Sequence, residues 1–312
     1  MKIVIPGGTG HVGALLERAC VANAHEVIVL GRSAPNNDAM QWDGKTLGPW
    51  ANVVDGADVV INLAGRSVNC RYTKRNREDM MNSRVDSTRA VGQAIARAVA
   101  PPRVWLQMST ATIYSHRLDA ANDEATGQIG GGEGASSDWS FSTEIAKAWE
   151  AAQHDSDTPR TRKIALRSAM VMGSERDGIF DVLYGLVRRG LGGSIGGGAQ
   201  YVSWIHEHDF ARSIELLIAR DDFEGPVNLA APNPLPQREF MAALRVAANR
   251  RVGLPATKWM AKLGAFVMRT ESELILKSRR VVPGRLLAAG FSFAFPTWPE
   301  AALELVERRS RS

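Results

Sequence analysis

The sequence predicts an α/β fold, a doubly wound parallel sheet with a smaller C-terminal lobe. Three observations carry that expectation. Short apolar runs alternate with amphipathic stretches through the first half, the rhythm of parallel strands joined by crossover helices. A glycine-spaced loop, "IPGGTGHVG", stands between the first apolar run and the first amphipathic one. After Met172 the rhythm changes to helices separated by short strands.

In order, "KIVIPG" reads as a strand, "HVGALLERACVAN" as a helix and "EVIVLGR" as a second strand. "ADVVINLAG" is another strand, followed by a long helix through "TKRNREDMMNSRVDSTRAVGQAIARAV". "RVWLQMST" and "KIALRSAMV" are strands on either side of a helix in "STEIAKAWEAAQ". The second half shows helices in "IFDVLYGLVRRG", "HDFARSIELLIAR" and "LPQREFMAALRVAA", with a short strand in "GPVNLAA". "TKWMAKLGAFVM" is amphipathic and reads as a packed face, and "GFSFAFPTWPEAALELV" as a strand and a closing helix. The glycine clusters "GQIGGGEG" and "GLGGSIGGG" are loops, and no internal repeat is present.

The chain has 312 residues, 45% hydrophobic and 23% charged, enough to bury a large core and unlike disordered or fibrous compositions. The N-terminal apolar run is too short for a signal peptide, and no stretch approaches a membrane span. With only Cys20 and Cys70, a disulfide framework is not expected, and a cytoplasmic setting fits. The net charge of +5 gathers in "KSRRVVPGR" and the terminal "RRSRS", which read as a solvated face and a frayed tail. The sharper alternative is a site for anionic ligands. No basic stripe interleaved with aromatics points to nucleic acid.

Gly7, Gly10 and Gly13 follow a strand and open a helix with the spacing G-x-x-G-x-x-G. One glycine permits the turn, the second admits a pyrophosphate against the backbone, and the third lets helix and strand pack closely. Free N–H groups and the helix dipole then favour phosphate, so the motif predicts a Rossmann-type dinucleotide site. An NAD site would end the second strand with an acid. Here that strand ends "VLGRS", and Arg32 suits a 2′-phosphate, so the expected cofactor is NADP(H). Residues 1–167, rejoined by 205–230, form the expected NADP-binding domain, and 168–204 with 231–312 the substrate lobe.

"GGTGHVG", "NLAG", "STATIYS", "LRSAMVMG" and "WIHEHD" come in an order that resembles the extended short-chain dehydrogenases/reductases, the NAD-dependent epimerase/dehydratase group. "INLAGRSVNCRYT", "KAWEAA" and "GLGGSIGGGAQYVSWIHEHD" resemble an atypical branch of that family. Its members, once labelled cell-division-inhibitor homologues, carry a C-terminal domain of unknown function. The resemblance implies that Thr9, His11 and Val12 join the three glycines at the pyrophosphate. It places Trp42 and Asp43 beside the adenine, Leu63, Ala64 and Gly65 under the cofactor, and Ser109 and Thr110 beside the nicotinamide. Many relatives pair long helices into a dimer, so 73–98 and 138–153 are the expected faces of a homodimer.

The same family uses a tyrosine to move the proton and a lysine four residues later to lower its pKa. Registered on Glu150, the pair should fall at Ser142 and Ala146, or at Phe141 and Ile145. Tyr72, Tyr114, Tyr184 and Tyr201 are followed four residues later by Asn76, Leu118, Arg188 and Ile205, so no Tyr-x-x-x-Lys exists anywhere. Lys147 would need a tyrosine where Thr143 stands. The remaining catalytic candidates are Thr110 and Tyr114, although packing is the favoured role for Tyr114, and His116 reads as a loop histidine. Arg66, Arg71 and His206 are candidates for the substrate side. "HEHD" at 206–209 would put His206 and His208 on one side of a strand, but an acid capping the next helix is favoured over a metal site. Two functions remain open: an NADP(H)-dependent reductase, epimerase or dehydratase of a small carbonyl or hydroxyl substrate, and a non-catalytic NADP(H)-binding regulator. The complete second lobe favours the enzyme.

Overall fold

The computed structural model describes residues 1–32, 39–130, 139–176, 178–257, 259–260 and 273–311. Seven parallel strands form the central sheet: β1 (Lys2–Pro6), β2 (Glu26–Gly31), β3 (Ala39–Gln41), β4 (Val59–Asn62), β5 (Val104–Thr110), β6 (Arg162–Ser168) and β10 (Gly225–Leu229). Their order is β10-β6-β5-β4-β1-β2-β3. It reverses between β1 and β4, and the crevice beyond the strand ends at such a reversal is where open α/β sheets bind ligands.

Both faces of the sheet are covered, which is why β1 and β4 read as unbroken apolar runs. On one face lie α1 (His11–Ala22) and α5 (Glu207–Ala219), whose Leu15, Leu16, Phe210, Ile214 and Leu217 pack on Ile3, Ile5 and Ile61. On the other, α2 (Lys74–Arg97) sets Ala90, Val91, Ala94 and Ile95 against Val4, Val60 and Trp105. α3 (Ser140–His154) packs beside α2, and its Gln153 Nε2 donates to the Trp105 carbonyl at 2.9 Å.

The second lobe is built from α4 (Ile179–Arg188), α6 (Gln237–Ala247) and two-stranded pieces pairing β7 (Met170–Met172) with β9 (Trp204–His206), and β8 (Tyr201–Val202) with β11 (Leu235–Pro236). Two short helices, α7 (Glu273–Leu276) and α8 (Gly284–Ala288), lead to α9 (Trp298–Arg311). The lobe's own core centres on Phe240 and Trp298, whose rings stack 4.0 Å apart, with Trp204 edge-on to Trp298.

Four expectations change. "GFSFAF" is no strand, because the fully buried Asp209 carboxylate accepts the Ala294 and Phe295 N–H groups, each at 2.8 Å, in place of a neighbouring strand. "HEHD" does not form one strand face. β9 ends at His206, whose Nδ1 caps α5 by accepting the His208 N–H at 3.1 Å, so the cap is His206 rather than an acid. "KSRR" is not a solvated face: Lys277 and Ser278 are buried, and Arg279 and Arg280 are half-buried. The basic terminus is no frayed tail, since Arg309 pairs with Asp181 at 2.9 Å and Arg308 with Glu207 at 2.5 Å. Most of 257–268, the amphipathic "TKWMAKLGAFVM", lies outside the described residues.

Candidate functional site

A cleft of about 500 Å³ opens over the strand reversal and runs from the glycine loop to the start of α3. At one end, Gly7 turns with φ +77°, and a Cβ there would stand 2.6 Å from the Ala64 backbone. A Cβ on Gly13 would stand 2.1 Å from the Gly8 carbonyl oxygen. Both positions therefore require glycine for packing alone. Gly10 differs: nothing lies within 4 Å of an added Cβ, so its backbone faces open space. Gly10 also caps α1, whose first turn carries no acidic residue and no side-chain cap. The N–H groups and positive dipole end of α1 are thus left facing outward, an arrangement that suits phosphate. Thr9 and His11 are exposed on the loop, and His11 and Val12 line the cleft.

Leu63 and Gly65, following β4, form the cleft floor, and Ala64 N–H is fixed to Asn62 Oδ1 at 3.1 Å. Asn62 in turn donates to Gln107 Oε1 of β5 at 2.9 Å, which ties the two strand ends together. Arg32 stands exposed directly after β2, with no ion-pair partner among the described residues. Trp42 is buried edge-on to Trp50, with centroids 5.1 Å apart. Asp43 accepts the Lys45 and Thr46 N–H groups and the Thr46 hydroxyl, which hold its carboxyl below the usual range. These bonds define the turn on the far side of β3.

Thr110 and Ser168 end adjacent strands in register and both line the cleft. Thr110 Oγ1 accepts the Thr112 N–H at 3.1 Å, which leaves its own proton available to a ligand. Ser109 also lines the cleft, but its hydroxyl donates to Glu150 Oε1 at 2.6 Å. Glu150 accepts from both Nε and Nη2 of Arg167, at 2.9 and 2.8 Å. Arg167 also donates to the Tyr114 hydroxyl at 2.9 Å, and that hydroxyl donates to Asn228 Oδ1 at 2.9 Å.

This network corrects the expectation that Tyr114 could move a proton in the cleft. Its ring is 2% exposed and lies outside the cleft lining, and burial raises its pKa. His206 is likewise away from the cleft: it stacks on Phe295, bonds Glu304 at 2.9 Å, and burial lowers its pKa. Arg66 does line the cleft, but it is bound to Asp79 and Asn76. His116 accepts the Ser278 N–H at 2.8 Å and packs on Trp139. Lys147 is exposed on the outer side of α3.

Ser142, Ile145 and Trp149 are the α3 residues that face the cleft. Of the two helix registers, this favours Ser142 at the expected tyrosine position, with Ala146 fully buried behind it. The Ser142 hydroxyl donates to Glu273 Oε2 at 2.5 Å, and Glu273 pairs with the buried Lys277 at 3.3 Å. Lys277 Nζ also donates to the Thr112 carbonyl at 2.9 Å, and Arg279 donates to Thr112 Oγ1 at 3.1 Å. A buried charged cluster from the C-terminal segment thus backs the inner end of the cleft. Sequence reasoning missed it, because "SELILKSRR" carries no spacing that marks a site.

The parallel sheet, its strand order and the glycine-floored cleft define a Rossmann-type protein of extended short-chain dehydrogenase/reductase build. The chain belongs to the NAD dependent epimerase/dehydratase family, whose model matches residues 3–230, and a domain of unknown function, DUF1731, matches 256–305. It is 30% identical to the Bos taurus epimerase family protein SDR39U1 over 98% of this chain and 100% of the relative. It is 28% identical to the epimerase family protein YfhF of Bacillus subtilis, over 99% of each chain. The crystal structure of human epimerase family protein SDR39U1 (isoform 2) with NADPH superposes with a TM-score of 0.85 at 28% identity, covering 98% of this chain and 99% of that one.

Tyr114→Phe removes one hydroxyl from a closed network and leaves Asn228 and Arg167 each short of a partner. It should cost about 1–3 kcal/mol of stability in a urea titration. Unchanged stability would show that the hydroxyl is not held as described.

Proposed function

We propose that the protein binds NADP(H) in the cleft and uses it in redox chemistry on a small carbonyl or hydroxyl compound. The observation that carries this reading is the open backbone at Gly10 at the start of α1, which has no side-chain cap, continuous with a cleft that ends on Thr110 and Ser142. The NADPH in the human relative's structure supports the cofactor, and Arg32 after β2 supports the 2′-phosphate form. Bound cofactor would supply or accept the hydride. Thr110 would donate its hydroxyl proton to a substrate oxygen and fix its position. With no tyrosine–lysine pair, proton movement falls to Ser142: in oxidation it can take a proton from the substrate as it passes its own to Glu273, whose charge Lys277 balances, and in reduction the same protons run back to the substrate oxygen.

The second reading, a non-catalytic NADP(H)-binding regulator, is favoured by one observation. Tyr114, the tyrosine weighed for the proton, is sealed in the Arg167–Asn228 network and cannot serve. Spectrophotometry of NADPH with a panel of small carbonyl compounds separates the two. The enzyme reading expects turnover, reduced by about 10²–10⁴ in Thr110→Ala and in Glu273→Gln and nearly unchanged in Lys147→Ala. Tight NADPH binding with no turnover across the panel would favour the regulator.

For the cofactor itself, Arg32→Ala should weaken NADPH by about 1.5–3 kcal/mol and leave NADH nearly unchanged. Equal affinities of the wild type for both cofactors would refute the choice of NADP(H). A Cβ at Gly10 has no protein atom within 4 Å, so Gly10→Val should melt like the wild type and yet lose the cofactor. Normal NADPH binding by Gly10→Val would make the loop purely structural.

A further inference from the structure

Arg84 lies on α2, 8% exposed, and lines the cleft. Its guanidinium rests on the Trp149 ring, with Cζ 4.9 Å from the centroid. Its Cζ would also stand 3.3 Å from a Cβ on Gly65, so it sits against the cleft floor. Nη1 donates to the Met80 carbonyl at 3.0 Å, and that is its one hydrogen bond to the described residues. No described carboxylate comes within ion-pair distance of it.

The acids that line the cleft, Glu175 and Glu207, and Glu273 behind Ser142 are each paired with another cation. Glu175 is bound to Arg18, Glu207 to Arg308, and Glu273 to Lys277. Arg84 is therefore a buried cation with one neutral acceptor, and burial lowers its pKa to about 10. A charge withdrawn from water is costly unless an opposite charge meets it. The remaining donors of its planar fork suit a two-oxygen anion.

We infer that Arg84 is an oxyanion receptor, which takes a carboxylate or phosphate group of a molecule bound in the cleft. The inference rests on the reading of this cleft as a small-molecule site. Two sources carry the same chemistry: the nicotinamide-side phosphate of the dinucleotide, or an acidic group on the second ligand. Arg84 then selects what the cleft accepts, and the Trp149 ring and Met80 carbonyl hold its fork in place.

Calorimetric titration at constant ionic strength tests this with the wild type, Arg84→Met and Arg84→Lys. The probes are NADPH, 2′,5′-ADP, and sodium malonate added with and without saturating NADPH. 2′,5′-ADP spans only the adenosine half and serves as the control for damage at the loop. Arg84→Met should lose about tenfold or more in affinity for NADPH or for malonate, with 2′,5′-ADP unchanged and Arg84→Lys in between. A loss confined to NADPH assigns the anion to the cofactor, and a loss confined to malonate assigns it to the second ligand. The inference is overturned if NADPH and malonate titrate alike in all three proteins, including the case in which none binds malonate. A parallel loss of 2′,5′-ADP would make Arg84 a structural residue and overturn it as well. If the wild type binds no NADPH, the cofactor reading fails on its own, and malonate with the unloaded protein still decides the role of Arg84. Should Arg84→Met not fold, Arg84→Lys, which keeps the charge but loses the fork, supplies the same comparison.

Discussion

The backbone of Gly7 passes so close to Ala64 that no side chain fits between them, and the rest of the site follows from that approach. It occurs where the strand order reverses, so β1 and β4 diverge into different connections just beyond it. The turn at Gly7 sends the chain into α1 with its N-terminus aimed over the crevice. The contact of Gly13 with Gly8 then seats α1 against the loop, and only Gly10 is left with free space. Two glycines thus serve packing and one is left open, although all three look alike in the sequence.

Around this crevice the charges are sorted by depth. The Ser109–Glu150–Arg167–Tyr114–Asn228 chain is closed, each polar group having a partner within the protein. Such a network rigidifies the ends of β5, β6 and β10. The groups with donor capacity to spare, Thr110 and Arg84, face the cleft. The C-terminal segment adds Glu273 and Lys277 behind Ser142. The second lobe therefore closes one end of the cleft with charged side chains.

The fold was legible because its signals are periodic and local. β1, β4 and β5 show the apolar runs of strands buried on both faces, and the glycine loop marks the first turn by spacing alone. The absence of a Tyr-x-x-x-Lys pair was likewise readable, and the placement of Ser142 in the cleft, with Phe141 outside its lining, favours one register of α3. What escaped was set by tertiary contact. "GFSFAF" alternates like a strand, yet Asp209, more than eighty residues earlier, takes its backbone N–H groups. "KSRR" has the composition of a surface, and only its packing against Thr112, His116 and Arg117 buries it. Arg84 sits within a long charged helix, where nothing in the local pattern separates an inward arginine from its solvated neighbours.

The proposed function has this cleft hold a dinucleotide in an apparatus kept intact around a changed proton path, and a crystal structure of the protein soaked with NADPH is its sharpest test. The pyrophosphate should lie over Gly10 at the start of α1, the 2′-phosphate near Arg32, and the nicotinamide between Thr110 and Ser142. A dinucleotide bound elsewhere, or a nicotinamide facing away from Thr110 and Ser142, would contradict it.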